Sequence, residues 1–136
     1  MATRSGIAIS HNGLIKAIYC HWDGYLENNG RILNQYYQDT DKINKLVALG
    51  DLSSLGAEIG EKNTVSTYKG QCEFFGRDRG EDGTEFKTFE TRDQFVSGID
   101  GAYFYLYEDD NWLVSTGAVW KSLKDQLEII DAEAAQ

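Results

Sequence analysis

Apolar residues alternate with polar or small residues on both sides of Asn12-Gly13, in the stretch IAISHNGLIKAIYCHW. Asn-Gly is the dipeptide that best fits the two positive-φ positions of a type I′ turn, so the pattern predicts a β-hairpin. A two-residue loop also sets the register, with His11 opposite Leu14 and the pairs continuing outward. The predicted core face then carries Ile7, Ile9, Leu14, Ile18, Cys20 and Trp22, and the opposite face carries Arg4, Ala8, Ala17, Tyr19 and His21.

The apolar residues that follow the loop DGYLENNG repeat at helical spacing. The two asparagines of LENNG are the predicted N-cap candidates of a short helix that begins near Gly30. Asp39 or Thr40 is the predicted N-cap of a second helix, which ends at Gly50. The apolar positions of the two helices are Ile32, Leu33, Tyr36, Tyr37, Ile43, Leu46 and Val47.

The middle of the chain mixes β-prone residues with turn residues. Residues 64–75 surround an interior Gly70, which predicts one bulged strand or two short ones. The preceding DLSSLG is predicted as an ordered turn, and the following GRDRGEDGTE as a loop because of its glycines and charges. Thr91 and Gln94 form a capping-box pattern that begins another short helix.

The last third of the chain predicts a second hairpin and a final helix. Residues 103–107 and 112–116 are the predicted strands, joined by an acidic four-residue loop. Tyr103, Tyr105 and Tyr107 share one face of their strand, which suits a core layer or an interface. The final helix starts near Ser122, and the tail DAEAAQ is expected to fray. Its predicted apolar stripe is Trp120, Leu123, Leu127 and Ile130.

These elements predict the fold class. A chain of 136 residues suits one domain, which we expect to span residues 1–136. Strands and short helices alternate without a βαβ rhythm, so we expect an α+β fold. The predicted architecture is an antiparallel sheet built from the N-terminal and C-terminal hairpins, with short helices packed on one side.

The charge balance restricts the classes of partner. The sequence has 22 Asp and Glu against 13 Lys and Arg, a formal net charge of -9, which disfavours direct nucleic-acid binding. No apolar run is long enough to span a membrane or serve as a signal peptide, so we expect a cytoplasmic protein. Cys20 and Cys72 are expected to be reduced, buried thiols.

The stretch IYCHWDGY is the first candidate for chemistry, because it combines a cysteine, a histidine and an aspartate. Neighbouring strand residues point to opposite faces, and no further ligand pair accompanies Cys20 and His21, so neither a zinc site nor a cysteine nucleophile is favoured. Arg4, His21 and Asp23 fall on one face and form a candidate anion-binding cluster. A structural hydrogen-bond network accounts for the same three residues.

Three other arginines are candidate ligand-binding residues. Arg31 lies at a predicted helix N-terminus, where free N–H groups favour an anion. Arg77 and Arg79 lie in a glycine-flanked segment, where they could bind a phosphate or a carboxylate or simply pair with nearby acids. Trp22 or Tyr25 would supply a surface on which a nucleotide-like ligand stacks.

Several short segments together resemble a known family. TRS near the start, IYCHWDGY, NG before a helix, LGDLSSLG and RDRGE are similar to motifs of a family of small phage, prophage and bacterial proteins without an assigned activity. The similarity runs from about Thr3 to Trp112, and Leu26 stands where that pattern has proline. The resemblance implies a phage-associated source rather than a particular chemistry.

The sequence therefore leads to three functional hypotheses. The first is a non-enzymatic phage-type accessory protein that binds a host component in the host cytoplasm, with the countering of host defence as one role that such binding would serve. The second is a binder of a small anionic, nucleotide-like ligand, or an enzyme acting on one, through Arg4, His21, Asp23, Tyr25, Arg31, Arg77 and Arg79. The third is a structural or virion-associated homo-oligomer. None of the three requires a cofactor, and no complete catalytic motif favours an enzyme.

Overall fold

In the computed structural model, which describes residues 2–62 and 70–135, eight strands form one mixed sheet. The strands are β1 (Ser5–His11), β2 (Leu14–Cys20), β3 (Leu52–Ser54), β4 (Glu73–Phe74), β5 (Lys87–Phe89), β6 (Tyr103–Glu108), β7 (Asn111–Ser115) and β8 (Trp120–Ser122). Their spatial order is β4-β3-β2-β1-β6-β7-β8, and β5 also pairs with β2. The helices are α1 (Arg31–Tyr36), α2 (Thr40–Ala48), α3 (Phe75–Arg79), α4 (Arg92–Gly98) and α5 (Leu123–Ala134), and a π-helical turn (Leu26–Gly30) leads into α1.

The first hairpin is confirmed in turn and register. Asn12 has φ 52° and Gly13 has φ 80°, the two positive values that a type I′ turn requires. His11 pairs with Leu14, and the ladder runs back to Ser5 opposite Cys20. The local turn chemistry therefore decides which residues of β1 and β2 face the core.

The second hairpin has a tighter loop than predicted. Glu108 pairs directly with Asn111, so two residues form the turn instead of four. Asp109 and Asp110 have φ 51° and 63°. Aspartate tolerates this left-handed conformation, and the Asn111 side chain supports it by donating to the Asp109 carbonyl at 2.9 Å.

The two hairpins join through a parallel pair, which corrects the purely antiparallel expectation. β1 runs parallel to β6, from Ser5 opposite Tyr103 to Ile9 opposite Tyr107. β2 and β3 are also parallel, at Cys20 opposite Leu52. Parallel neighbours need long crossover connections, and the segment between β2 and β6 provides them with its helices. The sheet is otherwise antiparallel, and the α+β class is confirmed.

Helices cover both faces of the sheet, whereas one covered face was predicted. The larger core contains Ile7, Ile18 and Tyr105 and packs against α1, α2 and α5. The opposite face carries Ala8 and Ala17 beneath α4. Its cluster also contains Ile15, Phe95, Ile99, Phe104 and Leu106. The second face escaped prediction because Ala8 and Ala17 are small, and because its apolar bulk is divided between Phe95 of α4 and strand residues such as Phe104 and Leu106.

Glycine is required beneath α4. A Cβ atom on Gly6 would lie 2.7 Å from the ring of Phe95. The absence of a side chain at this position of β1 lets the aromatic ring sit directly on the strand. Phe95 is fully buried there and meets Phe104 edge to face at 5.5 Å between ring centroids.

Three predicted helix caps are confirmed and one is wrong. Asp39, Thr91 and Ser122 accept hydrogen bonds from the backbone N–H groups two or three residues further on. Gly50, with φ 91°, follows the end of α2. The asparagines of LENNG cap nothing, because the buried Asn29 side chain donates instead to Ser5 Oγ at 3.2 Å and Cys20 Sγ at 3.4 Å.

Three other local predictions need correction. DLSSLG contains the strand β3, since Leu52 enters the core beside β2. The predicted loop GRDRGEDGTE begins inside α3, which ends at Gly80 in the left-handed conformation. Trp120 belongs to β8 and packs with Phe95 on the opposite side of the sheet from the α5 stripe. The first half of the strand predicted at 64–75 lies outside the described residues, and its described half contains β4.

Candidate functional site

The segments TRS, IYCHWDGY, LGDLSSLG and RDRGE come together at one end of the sheet, which we call the motif corner (residues 3–5, 18–25, 49–56 and 77–81). Gly24 N–H donates to the Thr3 carbonyl at 2.8 Å, and a Cβ on Gly24 would lie 2.6 Å from that of Ser5. His21 N–H donates to the Leu52 carbonyl at 3.0 Å. Segments far apart in the sequence are thus held together by their backbones.

Asp51 closes a gap in the sheet at this corner. β5 pairs with β2 as far as Ala17, and β3 begins to pair at Cys20, which leaves the outward N–H of Tyr19 between them. The Asp51 carboxylate accepts that N–H at 2.9 Å. The Asp51 backbone also donates to the Thr84 carbonyl at 2.8 Å. The sequence alone does not single out this residue, because DLSSLG has the composition of a turn.

Burial raises the pKa of Asp51, although the hydrogen bond from the Tyr19 backbone acts in the opposite direction. A raised pKa means that the folded state binds this proton more tightly than the unfolded chain does. The contribution of Asp51 to stability is therefore present at acid pH and declines as pH rises through its folded-state pKa.

We expect Asp51→Asn to raise the free energy of unfolding near neutral pH and to leave it unchanged at acid pH. Asparagine retains the oxygen acceptor for Tyr19 and carries no charge. Asp51→Leu, the control, removes the acceptor and should cost about 1–3 kcal/mol at both pH values. Urea unfolding at about pH 4 and about pH 7 distinguishes the variants. A loss of stability for Asp51→Asn that grows with pH would contradict the assigned sign.

Arg4 and His21 belong to a polar cluster that includes Tyr19. The Tyr19 hydroxyl lies 2.7 Å from Nδ1 of His21, and Arg4 forms an ion pair with Asp100 at 3.1 Å. Burial raises the pKa of Tyr19, and the neighbouring Arg4 opposes that effect. Asp23, the carboxylate suggested by sequence, has φ 56°, and its carbonyl accepts hydrogen bonds from the loop that follows.

Trp22 and Tyr25 present aromatic rings at the surface of the motif corner. Trp22 was predicted on the core face, but β2 ends at Cys20 and the chain turns at Asp23, so its side chain is 44% exposed. The ring of His21 meets that of Trp22 edge to face at 4.7 Å. Tyr25 is 37% exposed. These rings are free to contact a partner.

Arg77 is largely an internal residue, and its side chain is 13% exposed. Its guanidinium donates to the carboxylate of Asp78 and to the carbonyl oxygens of Gly60 and Cys72, at 2.9–3.2 Å. Bonded in this way, Arg77 ties α3 to the segments on either side of it. Its role in the structure is to hold α3 against the backbone at Gly60 and Cys72.

Arg79 and Arg31 are more exposed, and both form ion pairs. Arg79 donates to Glu73 at 2.6 Å and to Ser53 Oγ at 3.3 Å. Arg31 forms two hydrogen bonds with Asp131 of α5, and they lower the pKa of that carboxyl. The predicted anion site at Arg31 lacks its free helix terminus, because the Arg31 N–H bonds to carbonyls of the preceding π-helical turn.

The chain matches no protein-family model, and no curated protein or solved structure is significantly similar to it. The geometry of the site is therefore the basis for assigning its role.

Both thiols are buried and hydrogen-bonded. Burial raises the pKa of Cys20 to about 12, and its Sγ accepts the Asn29 amide. The Cys72 pKa is also raised by burial, and Cys72 Sγ lies 3.3 Å from the Tyr37 hydroxyl. A thiolate nucleophile at either position is strongly disfavoured near neutral pH. Within the described ranges, no three His, Cys, Asp or Glu side chains are grouped to hold a metal, and no helix has the length and apolarity to cross a bilayer.

Proposed function

We propose that this chain is a non-enzymatic, phage-type accessory protein that binds a basic surface of a host protein. One observation carries the proposal. Every arginine of the chain is engaged by a carboxylate of the same molecule. The pairs are Arg4–Asp100, Arg31–Asp131, Arg77–Asp78, Arg79–Glu73 and Arg92–Glu108.

This internal pairing determines the charge that a partner meets. The formal net charge is -9, and the arginines are neutralised locally, so the remaining surface charge is dominated by carboxylates. Such a surface attracts a basic partner, accelerates the encounter and weakens as salt screens it. The same pairing weighs against the alternative of a small anionic ligand bound by Arg4, Arg31, Arg77 and Arg79.

The motif corner supplies the aromatic part of the proposed contact. Trp22 and Tyr25 are exposed there, and tryptophan and tyrosine are the residue types that most often dominate binding energy at interfaces. The homo-oligomer alternative has less support, because Tyr105 and Tyr107 of the tyrosine strand are buried in the core. The buried thiols of the chain favour a binding role over covalent catalysis.

Affinity capture from a bacterial host lysate tests this function. We expect a specific protein to be retained at about 50 mM salt and released at about 500 mM. Trp22→Ser should reduce retention at least fivefold. Tyr36→Ser is the matched control, since both side chains are 44% exposed and Tyr36 lies on α1 outside the motif corner.

Two outcomes count against the proposal. Equal retention by the Trp22 and Tyr36 variants would remove the motif corner from the contact. A captured protein with an acidic surface, or one whose retention increases with salt, would contradict electrostatic attraction to a basic partner. Sizing of the purified protein at high concentration separates host binding from the oligomeric alternative.

A further inference from the structure

A cleft of about 320 Å³ opens between the chain connecting β7 to β8 and the helical layer. Its walls include Val114 at the end of β7, Leu26 in the π-helical turn and Tyr103 at the start of β6. Val114 is buried, and the Tyr103 ring stacks on that of Tyr105 at 6.5 Å. The cleft therefore has an apolar floor, and the side chains that form it are fixed by packing against neighbouring residues.

The rim of the cleft combines an exposed apolar side chain with polar groups. Val119 is 63% exposed, so its apolar side chain is available to a molecule that enters the cleft. Lys121, Gln126 and Thr116 contribute an ammonium, an amide and a hydroxyl to the same space. A molecule seated here would bury Val119 and find hydrogen-bond donors beside it.

The charge of the cleft is opposite to that of the rest of the molecule. In a chain with a formal net charge of -9, no described aspartate or glutamate lines this cleft. By contrast, Glu108, Asp109 and Asp110 line the cleft between the two hairpin turns. No carboxylate in residues 2–62 or 70–135 forms an ion pair with Lys121, so its charge is available to a ligand.

We propose that this cleft binds a small organic acid, with its carboxylate on Lys121 and its apolar or aromatic body against Val114, Val119 and Tyr103. The volume suits a molecule of about ten non-hydrogen atoms, at the small end of known ligand sites. The carboxylate supplies the charge complementarity, and burial of apolar surface supplies most of the affinity. This site is separate from the proposed host-protein contact and does not depend on it.

A titration followed by two-dimensional amide NMR tests the proposal, with hydrocinnamate as the probe. We expect saturable shifts at the amides of Thr116, Ala118 and Lys121. Hydrocinnamyl alcohol has the same body without the charge and should bind at least fivefold more weakly. Lys121→Gln should weaken hydrocinnamate at least fivefold, whereas Lys124→Gln, an equal charge change on α5 outside the cleft, should leave its affinity unchanged.

Three results would overturn the proposal: no saturable shifts up to the solubility of the probe, equal affinity for the acid and the alcohol, or equal loss in the two lysine variants. The spectra themselves report whether each variant is folded. Val119→Asp provides an independent variant, because its side chain is exposed and adds a carboxylate to the rim. It should also weaken hydrocinnamate at least fivefold, and unchanged affinity in a folded Val119→Asp protein would contradict the assigned cleft.

Discussion

Replacement of Phe95 by alanine should lower the free energy of unfolding by about 3–5 kcal/mol, the range for loss of a buried aromatic side chain. Phe95 is fully buried between α4 and the sheet, and its ring contacts those of Phe89, Phe104 and Trp120. No neighbouring side chain could refill this volume without leaving its own packing, because three aromatic rings form the walls. Urea denaturation with a common m-value measures the loss.

Val96→Ala is the control on the same helix. Val96 packs only partly against the cluster, so its truncation should cost about 1 kcal/mol or less. If Phe95→Ala were no more destabilising than Val96→Ala, α4 would not be packed on the sheet as described. The comparison tests the two-sided arrangement of helices directly.

The second large effect is expected at Arg77. Arg77→Ala should cost about 3–5 kcal/mol, since the variant removes the guanidinium that bonds the Asp78 carboxylate, whose side chain is 4% exposed. The carbonyl groups of Gly60 and Cys72 lose a donor in the same step. Arg77→Lys should recover part of the loss, because an ammonium retains the charge but not the planar fork.

Arg79→Ala provides the matched control two residues along α3. Its pair with Glu73 is more exposed, at 45% and 20% for the two side chains, and exposed pairs contribute about 0–1 kcal/mol. Thermal or urea unfolding of both alanine variants gives the comparison. Equal losses at the two positions would contradict the assignment of Arg77 as the internal residue of the motif corner.

The contacts of the motif corner offer a structural explanation for the segments on which the predicted family resemblance rests. Gly24 and Asp51 lie in the segments that carry it, and both have structural roles, since Gly24 fits against Ser5 and Asp51 bonds the Tyr19 backbone. Arg77 likewise bonds to chain segments around it. Much of this pattern can thus be explained by folding, and the exposed Trp22 and Tyr25 are the members available for recognition.

Only part of the candidate site could be predicted from the sequence. IYCHWDGY drew attention to His21 and to the aromatic rings, and both lie where β2 ends. The ion-pair partners of Arg4 and Arg31 could not be predicted from local spacing. Asp100 lies 96 residues from Arg4 along the sequence, and Asp131 lies 100 residues from Arg31. Local spacing carries no information about contacts of that separation, so exposed arginines and ion-paired arginines look the same in the sequence.

The sequence by itself determined those parts of the local structure that have strong stereochemical requirements. Asn12-Gly13 specifies a turn and hence the register of β1 and β2, and Asp39, Thr91 and Ser122 specify helix starts. These features depend on neighbouring residues only. Tertiary structure decided the parallel joining of β1 to β6, the covering of both sheet faces and the pairing of Arg4 with Asp100 and of Arg31 with Asp131. Each of these arises when distant segments bury apolar surface together, and the free energy of that burial outweighs weak local preferences.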